Sequence, residues 1–376
     1  MVRERRHPQS STRRGLIVGN YCHDVLMRDG VVVAETLGGA ASFISAVLDG
    51  LSIPYNLIAK VGKDFAYAIN HSPIVIPTSM TTLFHAYFDS EIDTDGHQDR
   101  VLKRVCACDP IKASDLPETR FDFGMAVGVG GEILPEALER MVGICTVVFV
   151  DVQALIREFD VVDGTVKLVE LKESGFFHLL PRIGVLKASA DEALFIDVEV
   201  VRKWCCVVVT HGKDGCKVYW KDGEMQISPF AANQVDPTGA GDSFLGGFVA
   251  GLVHGLAVPD AALLGNFFGS LTVGQVGLPK LDLKLFQIVN DEMQKRKMQD
   301  TVCNERRDSE LNFWKQPGHE QFHTSLSAAK VITPHHIQEC EWNLTSSPRM
   351  IEQGMKTNLL INSVHEGPIQ SADGKP

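Results

Sequence analysis

The sequence predicts an α/β fold with a central, mostly parallel sheet flanked by helices and a small β-sheet lid. The first observation is the alternation of short apolar runs with helix-like stretches after residue 123. Runs such as CVVVT at 206–210 are rich in β-branched residues, which is typical of strands buried on both faces of a parallel sheet. The second is a group of alternating polar and apolar segments between residues 25 and 108, which suits a half-exposed sheet.

The lid is predicted from three stretches outside this regular alternation. The first contains two apolar runs on either side of Asp29-Gly30, and an Asp-Gly pair in that position indicates a β-hairpin. The other two stretches are separated by the polar segment 89–99, which predicts a turn. The predicted lid strands lie at about residues 25–36, 81–88 and 100–108.

The main sheet begins with a short apolar strand at Gly15–Val18, and the Gly38-Gly39 pair then opens a helix. These elements start a β-α-β unit with a glycine turn at the helix N-terminus. The further predicted strands are Tyr55–Val61, Phe123–Val129, Thr146–Val150, Gly184–Lys187 and Cys206–Thr210. The predicted helices are Ala40–Leu51, Pro135–Val142, Asp242–Leu256 and 259–274.

These elements place one domain at residues 15–298. Residues 1–14 are basic and rich in Arg and Ser, without the apolar segment of a secretory signal. Residues 299–376 are polar and lack a sustained hydrophobic period. We expect both segments to be disordered tails.

The composition excludes several classes of function. A net charge of -11 argues against a nucleic-acid-binding surface, because neutralising phosphates requires an excess of Lys and Arg. No run of about 20 apolar residues is present, so no membrane span is predicted. The nine cysteines form no zinc pattern, and an odd number without a framework indicates reduced thiols in a cytoplasmic protein.

The segment Gly239-Ala240-Gly241-Asp242 stands where a loop becomes an apolar helix. A helix start presents unpaired backbone N–H groups and a positive dipole end. Because glycines have no side chain, an anion can approach these groups closely. Asp242 at the edge of such an anion hole can act as a general base. The residues alone leave a structural alternative open, in which Asp242 is a helix cap and the glycines permit tight packing.

The longer string DPTGAGDSFLGGF at 236–248 resembles the C-terminal signature of the ribokinase (PfkB) family of carbohydrate kinases. The resemblance covers about residues 15–279 and implies a ribokinase-like fold with ATP-dependent phosphoryl transfer. It also implies that Gly239, Ala240 and Gly241 form the anion hole and that Asp242 is the catalytic base.

The same resemblance implies further contacts, each carried by a matching position. For ATP these are Ser189, Thr210, Gly212, Asn266 and the motif Gly239–Asp242. For the phosphate acceptor they are Asp24, Gly38 and Gly39. Glu192 takes the position that helps to hold Mg²⁺, usually through water.

Structural alternatives remain for several of these residues. Ser189 and Glu192 also fit a capping box at a helix start. Asn266 stands among apolar residues, so it needs a hydrogen-bond partner, which is either ATP or the protein itself. Asp24 also fits an exposed residue that opens the predicted hairpin.

Within the family, the chain resembles the plant inositol kinases more than ribokinase, fructokinase or adenosine kinase. The similarity rests on Asp151-Val-Gln153, Lys187-Ala-Ser189 and the run from Leu263 to Pro279. It implies ATP-dependent phosphorylation of myo-inositol at its 3-hydroxyl by a monomer or homodimer.

Two alternatives are open, and a third lacks the motif that it requires. One is another sugar or nucleoside kinase of the same family. A second is a catalytically silent scaffold protein, which departures from the family pattern at Ser42, Lys63 and Ser189 keep open. A third, a nicotinamide-dependent enzyme, needs a glycine-rich turn after the first strand, and Gly15–Gly19 provides none.

Overall fold

A computed structural model describes residues 13–88, 100–301 and 311–332 of the chain. Its strands are β1 (Gly15–Val18), β2 (Cys22–Arg28), β3 (Val31–Gly38), β4 (Tyr55–Ile58), β5 (Lys60–Gly62), β6 (Ile74–Ile76), β7 (Thr82–Phe88), β8 (Arg100–Cys106), β9 (Phe121–Ala126), β10 (Cys145–Asp151), β11 (Arg157–Phe159), β12 (Val166–Leu168), β13 (Val185–Ser189), β14 (Cys206–Thr210), β15 (Cys216–Trp220) and β16 (Gly223–Ile227). Its α-helices are α1 (Ala40–Gly50), α2 (Pro135–Ile144), α3 (Gln153–Ile156), α4 (Val198–Val201), α5 (Ala240–His254), α6 (Val258–Thr272), α7 (Leu283–Thr301) and α8 (His319–Ile332).

The central sheet has eight strands in the order β16-β15-β14-β13-β10-β9-β1-β4. The six strands from β14 to β4 run parallel, while β15 and β16 add an antiparallel edge. The predicted mostly parallel sheet is therefore confirmed. The register places Asp151 opposite Lys187 and Ser189 opposite Thr210, so polar residues from neighbouring strands meet at the carboxyl edge.

Buried side chains of the sheet alternate between two apolar cores. On β1, Ile17 belongs to one core and Leu16 and Val18 to the other, as the period of two along a strand requires. The first core includes residues of α1, α5, α6 and α7, and the second includes residues of α2. Since both faces are covered, the central strands are apolar over most of their length.

A four-stranded sheet, in the order β3-β2-β7-β8, forms the lid. Its strands overlap the three predicted stretches, although the first begins at Cys22 and the last ends at Cys106. Leu26, Ala86 and Phe88 on one face of this sheet are buried together. The predicted turn at 89–99 lies outside the described residues.

Another predicted strand, Tyr55–Val61, is two strands in the structure. β4 belongs to the central sheet, whereas β5 pairs with β6. The Lys60 amide donates to the Oδ1 atom of Asn20 over 2.7 Å, which directs the chain away from the central sheet after Ile58.

The prediction of a disordered segment from residue 299 is wrong for residues 311–332, which include helix α8. Phe322, Leu326 and Ala329 on α8 are buried in the first core. These three residues have the helical spacing i, i+4 and i+7, and their packing against the rest of the domain stabilises the helix. Residues 1–12, 302–310 and 333–376 of the predicted tails lie outside the described residues.

No helix in the described ranges is both long and apolar enough to cross a membrane.

Candidate active site

The glycine turn lies at the N-terminus of α5. Gly239 precedes the first helical residue and has a φ of +75°, in the left-handed region that favours glycine. A Cβ atom on Gly239 would overlap the ring of Phe43 on α1. The turn therefore excludes a side chain at this position, and a helix N-terminus without side chains is suited to an anion. This geometry fits the predicted anion hole.

Asp242 lies in the first turn of α5 and lines a pocket between this helix and the lid. Its Oδ1 atom accepts a hydrogen bond of 3.1 Å from the Nε2 atom of Gln153, which follows β10. Asp24 from the lid strand β2 lines the same pocket, as does Arg157. The apolar lid side chains Leu26, Phe84, Ala86 and Leu102 complete its roof.

A buried ion pair lies behind the glycine turn. The Nζ atom of Lys187 is 2.9 Å from the Oδ2 atom of Asp151, and the two side chains are 6% and 0% exposed. A Cβ atom on Gly241 would lie only 2.8 Å from the same Nζ atom. The ammonium group is thus packed directly against the turn, where it adds positive charge to that of the helix end.

Burial determines the ionisation of this pair. It raises the pKa of Asp151 to about 7, although Lys187 opposes the change. Burial alone would lower the pKa of Lys187, but the carboxylates of Asp151, Glu192 and Asp242 raise it above its ordinary value. Lys187 therefore keeps its positive charge, while Asp151 changes its charge near neutral pH.

The predicted acceptor residues lie together at the lid. Asp24 is 9% exposed, and a Cβ atom on Gly38 of β3 would overlap its carboxylate. Gly39 has a φ of +85°, and a Cβ there would lie 2.5 Å from the backbone oxygen of Asn20. These two glycines make room for the Asp24 carboxylate and for the sharp entry into α1. The alternative of an exposed Asp24 is excluded by its burial.

Ser189 and Thr210, predicted to contact ATP, end the neighbouring strands β13 and β14. The Ser189 amide donates to Oε2 of Glu192 over 2.8 Å, and the Glu192 amide donates to Oγ of Ser189 over 3.1 Å. The capping box that the sequence left open is therefore formed. Gly212 follows in a 3₁₀ turn with a φ of +53°. All four residues lie at the carboxyl edge of the sheet, where α/β folds bind ligands.

Asn266, also predicted to contact ATP, serves a structural role in the described residues. Its Nδ2 atom lies 2.9 Å from the carbonyl oxygen of Ser228 and 3.4 Å from that of Ile227. These hydrogen bonds attach the end of β16 to α6. The nucleotide contact of Asn266 stays a prediction.

Glu192, the predicted magnesium residue, carries a charge at neutral pH. Its burial would raise the carboxyl pKa, but Lys187 and Arg157 lower it below the ordinary value. The Oε1 atom lies 3.9 Å from the guanidinium of Arg157. Within the described ranges, no group of three or more His, Cys, Asp or Glu is placed to hold a metal ion. A single charged carboxylate fits a Mg²⁺ ion that keeps several waters.

Comparison with known proteins agrees with this site. The model of the pfkB family of carbohydrate kinases matches residues 177–281. An inositol 3-kinase of Arabidopsis thaliana is 64% identical over 318 residues, which are 85% of this chain and 88% of that protein. The chain belongs to the PfkB family of carbohydrate kinases. An inositol 3-kinase of Oryza sativa subsp. japonica is 48% identical over 89% of this chain and 85% of its own length.

The ribokinase-like fold of this PfkB family member is also confirmed by a solved structure. A pyrophosphate-dependent kinase in the ribokinase family, complexed with a pyrophosphate analog and myo-inositol, has a TM-score of 0.59 to it. The match covers 71% of this chain and 97% of that chain at 16% sequence identity.

Sequence reasoning gave no chemical role to four polar residues of this PfkB site: Asp151, Gln153, Arg157 and Lys187. Asp151, Gln153 and Lys187 were used only as points of resemblance to the plant inositol kinases. The Nε atom of Arg157 is buried and has no hydrogen-bond partner among the residues that the structure describes. Asp151 ends β10, Gln153 follows it, and Lys187 lies two residues before the end of β13, so polar residues near the ends of parallel strands were the signal available.

Proposed function

We propose that this protein transfers the γ-phosphoryl group of ATP to the 3-hydroxyl of myo-inositol. The observation that carries this proposal is the pocket in which Asp24 of the lid and Asp242 of the glycine turn lie together. A polyol acceptor needs both a binding carboxylate and a base near an anion hole. The inositol 3-kinases that share 64% and 48% of their aligned residues with this chain support the choice of acceptor.

The acceptor is held by complementary polar groups beneath an apolar roof. Asp24 accepts hydrogen bonds from ring hydroxyls, since a carboxylate has two acceptor oxygens. Arg157 lines the same pocket and donates to hydroxyl oxygens through its guanidinium group. Leu26 and Phe84 cover the C–H faces of the ring and exclude water from the pocket.

Proton transfer falls to Asp242. Its carboxylate accepts the proton of the attacking hydroxyl as the new O–P bond forms and the bond to the leaving ADP oxygen breaks. Gln153 holds one carboxylate oxygen of Asp242 through its 3.1 Å hydrogen bond. This geometry favours a single orientation of the base.

The negative charge of the transferred group is stabilised from the opposite side. The start of α5 at Gly239–Gly241 would supply the positive end of the helix dipole, and the Lys187 ammonium lies against Gly241. Mg²⁺, held through water by Glu192, would neutralise further charge on the phosphates of ATP.

An Asp242→Asn variant tests the assignment of the base. We expect kcat to fall by about 10²- to 10⁴-fold, with little change in the KM for myo-inositol, because the amide retains the shape of the carboxylate. Near-normal kcat would overturn the assignment. An Asp24→Asn variant is the matched comparison, in which the KM for myo-inositol should rise instead.

The acceptor is tested with the wild-type protein and a panel of myo-inositol, ribose, fructose and adenosine. We expect ATP consumption with myo-inositol, and phosphorus NMR of the product should show a 3-phosphate ester. Activity confined to another member of the panel would indicate a different sugar or nucleoside kinase. Absence of activity on all four acceptors would support a catalytically silent protein.

A further inference from the structure

Four residues of strands β13 to β16 lie in a row along the carboxyl edge of the central sheet, leading away from the glycine turn. We call this row, Ser189-Thr210-Cys216-Ile227, the path. Along this edge Ser189 is opposite Thr210, Thr210 is opposite Cys216, and Cys216 is opposite Ile227. Neighbouring strands lie about 4.8 Å apart, so the three steps from β13 to β16 span about 14 Å. An inorganic phosphate chain bound at the turn stays at one end of this path. A nucleoside triphosphate bound there would extend along it towards Ile227.

The far end of the path is enclosed by three elements. The loop 228–235 leads from β16 to the glycine motif, and α6 lies beside it, joined through the Val235 amide to the Val273 oxygen over 2.7 Å. Helix α8 closes the third side. The Nζ atom of Lys330 on α8 lies 2.6 Å from the Ala231 oxygen and 2.9 Å from the Oγ atom of Ser270 on α6. Lys330 therefore joins the loop to α6.

A second contact of α8 holds the same loop. The Nε2 atom of His323 lies 3.0 Å from the Pro229 oxygen, and its ring packs on Phe230 with the centroids 4.5 Å apart. Phe230 in turn packs edge-on against Phe267 of α6, at 5.3 Å. The loop is thus held between α8 and α6 on both sides of Phe230.

Helix α8 is itself firmly attached to the domain. Asp260 at the start of α6 is fully buried and accepts from Nε of Arg296 over 2.8 Å. Its other carboxylate oxygen lies 2.5 Å from Nδ1 of His319, the first residue of α8. Arg296 also donates to the Pro317 oxygen. Buried charged groups that are paired in this way hold their partners in one geometry.

We propose that α8 forms the outer wall of the nucleoside end of the donor site, and that Lys330 is a positioning residue that favours a nucleoside triphosphate over an inorganic phosphate chain. The inference rests on the proposed phosphoryl transfer from ATP. By joining Ala231 to Ser270, Lys330 keeps the loop against α6 where the path from the glycine turn ends. Burial lowers the pKa of Lys330 to about 8, so the ammonium is poorly hydrated and depends on these acceptors.

The test is a Lys330→Met variant of the full chain, which keeps the apolar stem and removes the three donors. Calorimetric titration with a non-hydrolysable ATP analogue and with inorganic tripolyphosphate separates the two ends of the path. We expect about 10-fold weaker binding of the analogue, or 1.4 kcal/mol, and less than a twofold change for tripolyphosphate. Lys330→Arg should recover most of the affinity for the analogue.

Lys295→Met is the matched control, because Lys295 is exposed on α7 and pairs with Glu292 three residues away. This variant should bind both ligands as the wild type does. Equal weakening of the analogue and tripolyphosphate by Lys330→Met, or no weakening of either, would overturn the proposal. Since binding is measured without an acceptor, a wild type that binds the analogue but leaves myo-inositol unphosphorylated would contradict the proposed function alone.

Discussion

A Gly241→Ala substitution tests whether the ammonium group behind the glycine turn contributes to catalysis. The added Cβ atom would lie 2.8 Å from Nζ of Lys187 and 3.5 Å from its Cε atom. Ordinary contact between heavy atoms begins at about 3.5 Å, so the ammonium must retreat by about 0.7 Å. It cannot do so freely, because it is buried and paired with Asp151 at 2.9 Å.

The size of the effect follows from this displacement. A shift of about 1 Å in a group that stabilises the transferred charge costs up to about 100-fold in rate, which is about 2.7 kcal/mol in the activation free energy. The fold should survive, because alanine is favoured over glycine in a helix by up to about 1 kcal/mol, which offsets part of the crowding. We therefore expect a loss of kcat without unfolding.

The assay is steady-state kinetics with ATP and myo-inositol, together with a thermal melt. Gly143→Ala is the matched control, since Gly143 lies in α2 and a Cβ there would have no neighbour within 4 Å. This control should keep wild-type kinetics. If Gly241→Ala retains kcat within about threefold of the wild type, equivalent to less than about 0.7 kcal/mol, the ammonium has no catalytic role of this kind.

Three further outcomes are expected. Gly38→Ala should raise the KM for myo-inositol at least about 10-fold, because its Cβ overlaps the Asp24 carboxylate; an unchanged KM in steady-state kinetics would contradict this role. Wild-type kcat/KM should fall as the pH drops below about 7, since Asp151 then takes up a proton and no longer pairs as an anion with Lys187. An Asp151→Asn variant should be slower and lack that limb of the pH–rate profile, so a limb that persists would refute the assignment. Phe322→Ala should lower the free energy of unfolding in urea by about 3–5 kcal/mol, because its ring is 3% exposed in the core; a loss below about 1 kcal/mol would mean that α8 is not part of that core.

Much of the fold could be predicted from short stretches of sequence. The apolar run at 206–210 and the Asp29-Gly30 pair specify a buried strand and a hairpin through neighbours in the chain. The glycine motif likewise predicts a helix start with room for an anion, and Gly239 adopts the left-handed φ that such a start requires. These features depend on local backbone preference and side-chain period, which the sequence expresses directly.

The composition of the site depends on contacts between distant segments. Asp24 and Asp242 share a pocket only because the lid covers the carboxyl edge of the central sheet. Lys187 acquires its place behind the turn because β13 pairs with β10 and α5 packs above them. Asn266, which the local pattern left open to either a nucleotide or a protein partner, donates to the backbone oxygens of Ile227 and Ser228.

Helix α8 most clearly shows this difference between features set by neighbouring residues and features set by contacts between distant segments. Its buried residues Phe322, Leu326 and Ala329 have helical spacing but lie in a largely polar segment, and its attachment uses a histidine that hydrogen-bonds to Asp260, 59 residues earlier in the chain. The sequence by itself determined the sheet, the hairpin and the glycine turn, because each is specified by residues close together in the chain. Only the tertiary structure decided which charges share the pocket and which helix encloses the donor path, because burial and pairing arise when distant segments pack together.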